Sequence, residues 1–185
     1  MLKLADFTSA YRAKLIADTY KKWVKPKAKV LDVGCGTGVV ADELQKLLGI
    51  KVTGCDIDSY LLRDIPFKKM GSFSKIPYKN RQFDFSMFND VLHHTEFGNQ
   101  EKLLKEALRV SKRILIFELI PTFTGKISDL LINKIHNPNM NIPYTYRKPN
   151  EWKNLFKKLG LKFKVSYIKK PYWYPFTHIG FLVEK

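Results

Sequence analysis

The chain has 185 residues, 45% of them hydrophobic, which is enough for one core in one compact domain. Lys and Arg outnumber Asp and Glu by 33 to 17, a net charge of +16 that points to an anionic partner. No apolar run approaches the roughly 18 residues that a bilayer-crossing helix needs, the first residues lack a secretory pattern, and Cys35 and Cys55 have the spacing of neither a disulfide framework nor a metal site.

In chain order, a helix is predicted over 8–24, because Tyr11, Leu15, Ile16 and Tyr20 recur at helical spacing, and Arg12 lies on it. A strand over 29–33 runs into Gly34, Gly36 and Gly38, with Asp32 just before the turn, and a helix is predicted over 37–48. Alternate glycines let the backbone turn sharply and come close to a ligand, which the helix N-terminus then faces. A dinucleotide fingerprint needs Gly-x-Gly-x-x-Gly, and the third position after Gly36 is Val39, so that reading fails on spacing. A carboxylate at Asp32 would repel a pyrophosphate, but it suits an ammonium and a neighbouring sulfonium, the cationic groups of S-adenosylmethionine.

The next strand, 50–55, ends at Asp56, which lies 18 residues after Gly38 and is placed to accept ribose hydroxyls. Ser59 to Asp64 leaves room for barely two helical turns before Pro66. Strands follow over 67–70 and 83–89, and His93 and His94 leave the second of these just past Asn89. A neutral imidazole there would accept a proton near pH 7, which makes His93 or His94 the general-base candidate; the competing reading is a cap on a short turn beside Thr95 and Glu96. A helix over 99–109 and a strand over 112–119 continue an alternation that means a doubly wound α/β sheet.

Val-Leu-Asp-Val-Gly-Cys-Gly-Thr-Gly at 30–38, Gly71 to Tyr78, Phe83-Asp84, Val91 to His94 and Glu106 to Glu118 carry a resemblance that runs from about residue 28 to 119. The chain resembles the class I S-adenosylmethionine-dependent methyltransferases of the small single-domain type. The resemblance implies a Rossmann-like, mostly parallel seven-stranded sheet with helices on both faces, the seventh strand antiparallel and inserted beside the fifth. It also implies S-adenosylmethionine as cofactor and S-adenosylhomocysteine as product, held by Asp32, Gly34, Gly36, Gly38, Asp56, Ile57 and Asn89. Adenine would lie by Ser72 and Phe73, and the methionine carboxylate by Arg12; a solvated surface role is the other reading of that arginine. Ser72 stands where members commonly carry an acidic residue, so adenine recognition would lean on the Phe73 amide.

Further along, helices are predicted over 125–136 and 149–159 and strands over 162–169 and 178–184, with Asn137 to Pro143 a mobile loop or lid and Tyr144 to Arg147 a pocket wall. One domain is expected over 1–185: a cap (1–28), a cofactor half (29–119) and a substrate-side half (120–185). Residues 1–29 carry 8 basic and 2 acidic side chains, 30–110 carry 11 of each, and 111–185 carry 14 and 4, so the charge excess lies in the terminal segments. Lys169 to Phe176 sets four aromatics beside two lysines. Exposed, they suit stacked bases or a lipid interface; buried, they would pack on Trp152 and Phe156. The expected acceptor is an anionic small molecule or lipid held through 147–176, with RNA as the alternative, in a cytoplasmic monomer or weak dimer. Asn89-Asp90-Val91-Leu92 lacks the Asn/Asp-Pro-Pro-aromatic turn of exocyclic-amine methylators, and the cysteines are misplaced for pyrimidine C5 methylation. A non-catalytic binding module is the reading from another class, and Val39 disfavours a dehydrogenase.

Overall fold

A computed structural model describes residues 2–136 and 142–185, with the side chains of 2–8 and 136 outside the description. Seven strands, β1 (Lys29–Val33), β2 (Lys51–Asp56), β3 (Phe67–Lys69), β4 (Phe83–Asn89), β5 (Ser111–Leu119), β6 (Lys162–Tyr167) and β7 (His178–Glu184), form one sheet in the order β3-β2-β1-β4-β5-β7-β6. The first five are parallel, and β7 runs antiparallel to both β5 and β6, as the resemblance implies. Five α-helices, α1 (Leu2–Tyr20), α2 (Val39–Leu48), α3 (Phe97–Val110), α4 (Phe123–His136) and α5 (Pro149–Lys158), and a 3-10 turn at Leu92–His94 complete the described elements.

Central strands of such a sheet are covered on both faces and therefore read as apolar runs. Successive residues of β5 divide between the two cores: Ile114 and Ile116 join Trp152, Phe156 and Leu104 on one face, while Leu115 and Phe117 join Ile16, Tyr20 and Leu44 on the other. Helix α2 stops at Gly49 in the left-handed conformation, φ 64°, and α5 begins at Pro149, where the missing N–H is no loss.

Two expectations are revised. Helix α1 starts earlier and gives way to a turn after Tyr20, short of Pro26, so the predicted end at 24 was too late. Between β2 and β3, where the sequence leaves little room for a helix, the chain forms a loop in which Ile65 is buried, Leu61 packs on the same core, and the Leu62 N–H donates to Thr37 O at 2.8 Å. Trp152 and Phe156 pack with Phe163 and Phe181 rather than with the aromatic loop, whose buried member, Tyr174, instead meets Tyr11 and His178. The expected lid falls on 137–141, outside the described residues, and continues only into Ile142 and Pro143. Both cysteines are free and buried.

Candidate active site

The strand order reverses between β1 and β4, and ligands of open α/β sheets bind beyond the carboxyl ends of the strands at such a point. Gly34, Gly36 and Gly38 all have positive φ there (77°, 52° and 74°). A Cβ on Gly34 would lie 2.2 Å from Val91 Cγ2, whereas a Cβ on Gly36 would meet nothing within 4 Å. The first glycine lets β4's exit pack against the turn; the second leaves the turn open to a ligand. Gly34 and Cys35 donate their N–H groups to Cys55 O (2.8 and 3.2 Å), and Gly36 N–H donates to Asp56 Oδ2 at 2.8 Å. Asp56 Oδ1 also accepts the Ile57 N–H at 2.7 Å. Burial raises the Asp56 pKa, and the amides of Gly36, Ile57 and Asp58 partly offset it, leaving about one lone pair of the carboxylate for a ligand hydroxyl.

Asp32 is 3% exposed. Asn89 Nδ2 donates to Asp32 Oδ1 at 3.3 Å, and the Tyr20 hydroxyl donates to Asn89 Oδ1 at 2.9 Å, a chain of bonds from α1 through β4 to β1. Burial and the Asp56 charge lift the Asp32 carboxyl to about 7, against the opposing pull of Asn89 and Arg12. Arg12 Nη1 lies 3.7 Å from Asp90 Oδ2, and its buried Nε has no hydrogen-bond partner among the described residues. Burial works against an Asp90 anion, but His178, with Nε2 at 3.2 Å, and Arg12 hold that carboxyl at about 2.

Beyond Asp90 the chain enters the 3-10 turn, whose free amides Glu118 caps: Oε1 accepts from Val91 (3.0 Å) and Leu92 (2.7 Å). Glu118 Oε2 lies 2.6 Å from His93 Nδ1, and His93 Nε2 lies 3.4 Å from Asp129 Oδ2. Burial alone would lower the His93 pKa, but Glu118 and Asp129 raise it to about 10. The two carboxylates thus favour the protonated His93 ring over the neutral base expected at that position. Burial and the His93 charge drive His94 down to about 3, so its ring is neutral. Asn133 Nδ2, 3.5 Å from His94 Nε2, donates to Asp129 O and Oδ1 (2.9 and 3.0 Å).

Residues 144–147, the expected pocket wall, lie against the 3-10 turn, where the Thr145 N–H donates to His93 O at 2.9 Å. Tyr146 stacks on His93 with ring centroids 5.1 Å apart, and its hydroxyl donates to Asp129 Oδ2 at 2.6 Å. The fully buried Gln100 pins this wall: Nε2 donates to Leu92 O and Thr145 O, and Oε1 accepts from Arg147 Nε at 2.6 Å. Ser72 is not drawn in; it is exposed and its Oγ lies 2.9 Å from that of Ser74, while Phe73 leans on the core and Ile57 is exposed. His93, His94 and Asp129, and Asp90, His93 and Glu118, lie close enough together to hold a cation, but both His93 nitrogens already face carboxylates. A separate cavity of about 560 Å³, lined by Lys68, Lys75, Tyr78 and Arg109, has none of these groups.

Asp90, like Asn89, is expected from the sequence to touch the cofactor or shape the pocket; Tyr20, Gln100, Glu118, Asp129 and His178 are the site residues that sequence reasoning passed over. Two left a signal. Glu118 is a lone charge in the apolar run Ile114 to Leu119, and a buried charge requires partners. Asp129 is the single acidic residue between Leu119 and Asn150.

A family profile described as a methyltransferase domain matches residues 31–116. The glycine/sarcosine/dimethylglycine N-methyltransferase of Actinopolyspora halophila is 25% identical over 142 residues, 68% of this chain and 25% of that protein. A sterol 24-C-methyltransferase of Gibberella zeae is 38% identical over 73 residues, 33% of this chain and 19% of that protein. The chain thus spans a quarter or less of the length of these two relatives. Among solved structures, a chain of the complex between the Haloferax volcanii Trm112 methyltransferase activator and a methyltransferase superposes with a TM-score of 0.72 at 15% identity, covering 97% of this chain and 93% of that one. The matched span contains the glycine turn, Asp32, Asp56 and the 3-10 turn, so residues 31–116 are similar to a methyltransferase domain, and the whole sheet shares the fold of that solved structure.

Proposed function

We propose that the chain binds S-adenosylmethionine at the carboxyl ends of β1, β2 and β4 and transfers its methyl group to an anionic or lipid-like acceptor on the side formed by the 3-10 turn, α4 and residues 144–147. The observation that carries this reading is the pair of carboxylates around an open glycine turn: Asp32, buried with its pKa raised for want of a cation, and Asp56, braced by amides with a lone pair to spare. The groups fit the cofactor. Asp32 suits the ammonium, Asp56 a ribose hydroxyl, and the unpartnered Arg12 Nε a carboxylate.

When bound, the cofactor supplies an already activated methyl group on a sulfonium, so the protein's part is positioning. Tyr20 and Asn89 fix Asp32; Glu118 fixes the 3-10 turn and, with Asp129, favours the protonated His93 ring. Neither histidine is built as a strong base, since His93 is favoured in its protonated form and His94 holds a proton weakly. That favours an acceptor that arrives with a reactive lone pair, such as a carboxylate, thiolate or enolate. The excess of 14 basic over 4 acidic side chains in 111–185 agrees with an anionic acceptor.

Calorimetric titration with S-adenosylhomocysteine tests the reading. Micromolar binding, weakened about ten- to hundredfold by Asp56→Ala as charge-assisted hydrogen bonds are lost, is the expected result. No binding by the wild-type chain, or binding of NADH instead, would overturn it and favour a non-catalytic module or a dehydrogenase.

A further inference from the structure

Helix α4 has two unlike sides. Its inner side carries Asp129 and Asn133, tied to His93, Tyr146 and His94. Its outer side exposes Phe123 (80%), Ile127 (44%), Leu131 (54%) and Ile135 (66%), four large apolar residues recurring every four positions. The helix start meets the aromatic loop, where Thr124 Oγ1 lies 3.4 Å from Pro175 O. In that loop Tyr172 is fully exposed and Trp173 is 61% exposed, braced on Tyr11 at 4.7 Å. Lys126, Lys134 and Lys169 are exposed on the same two segments. From Leu119 to Val183 there are 11 basic side chains and only two acidic ones, Asp129 and Glu151; Asp129 is turned inward to Tyr146, and Glu151 bonds the Lys148 N–H at the start of α5.

We propose that α4 and the 170–176 loop form a docking face for an anionic bilayer surface, lying in the interface rather than crossing it. Aliphatic residues on one helix face, lysines beside them, Trp and Tyr at the edge and no outward acid on either segment are the composition of an interfacial helix. Ile127, Leu131 and Ile135 offer nothing for bases to stack on, which argues against RNA, and a net +16 opposes a second copy. No described helix is long and apolar enough to cross a membrane, in keeping with a surface role. If the methyltransferase reading holds, on which this last step rests, a lipid-borne acceptor would reach His94 under α4 directly from the bilayer.

Flotation of the full chain with vesicles tests the proposal, using phosphatidylcholine alone and phosphatidylcholine mixed with phosphatidylglycerol, at low and high salt. The expected result is binding to the anionic vesicles at least about tenfold tighter than to the neutral ones and weaker at high salt, in line with roughly 1 kcal/mol per lysine near such a surface. The pair Ile127→Ser and Leu131→Ser, and separately Lys134→Glu with Lys169→Glu, should each weaken it about tenfold while S-adenosylhomocysteine affinity stays unchanged. Failure to float with anionic vesicles, or serine variants that bind as well as the wild type, would overturn the proposal, as would preferential RNA binding or a dimer that covers the face. Loss of S-adenosylhomocysteine binding with vesicle binding intact would instead count against the methyltransferase reading alone.

Discussion

Asp32 and His93 are both buried titratable groups with raised pKa values, so each costs stability as pH rises, over different ranges. The folded Asp32 carboxyl titrates near 7, above its ordinary value, so between about 4 and 7 the folded chain holds the extra proton and stability falls as pH rises. Asp32→Asn is therefore expected to raise Tm at pH 8 but not at pH 4, while weakening cofactor binding at least about tenfold; thermal melts at the two pH values and calorimetry check this. A cationic ligand favours the Asp32 anion, so S-adenosylmethionine affinity should climb from pH 5 to about 7 and then level off. His93 has the same sign at higher pH. Its stabilisation is complete below about 6.5 and is lost as pH rises through about 10. Its ring should remain protonated at pH 8 by NMR titration, and Glu118→Gln should lower that pKa and cost on the order of 3–5 kcal/mol, as for a buried pair left half made.

The turn between β1 and α2 can be tested as a unit. Gly34→Ala places a methyl group against Val91 Cγ2 at a positive φ, and should destabilise the chain by on the order of 1–3 kcal/mol, with partial recovery in the double variant carrying Val91→Ala; a denaturant series reads both. Tyr20→Phe removes only the bond to Asn89, and is expected to keep the fold while weakening S-adenosylhomocysteine several-fold. The strands were legible in the sequence because β1, β4, β5 and β7 are buried on both faces and leave apolar runs that need no tertiary knowledge to find. The course of the loop from Ile57 to Pro66 was not, because Leu61 and Ile65 reach the glycine turn only through tertiary packing.

At the scale of the whole molecule, α1 closes one face of the sheet and also reaches the site through Arg12 and Tyr20. Deleting residues 1–21 should therefore expose the core of Val30, Met87 and Leu115 and abolish cofactor binding together, seen as a rise in hydrophobic-dye fluorescence and a silent calorimetric titration. The cofactor half of the site was readable because its residues crowd into one short motif, with Asp32 six positions from Gly38. The acceptor half was not, because Glu118, Asp129 and Tyr146 meet His93 only through folding, from three separate elements.

The antiparallel strand between β5 and β6 also governs how the chain must assemble. Every residue of β7 from His178 to Val183 is buried, and its partners on β5 lie far back in the sequence, Val183 pairing with Ile114. Until β7 arrives, β5 presents an open, apolar edge to any other strand, its own or a neighbouring chain's. Closing that gap requires a long loop to form before any contact rewards it, so folding should be slow and the half-made sheet the species most prone to aggregate.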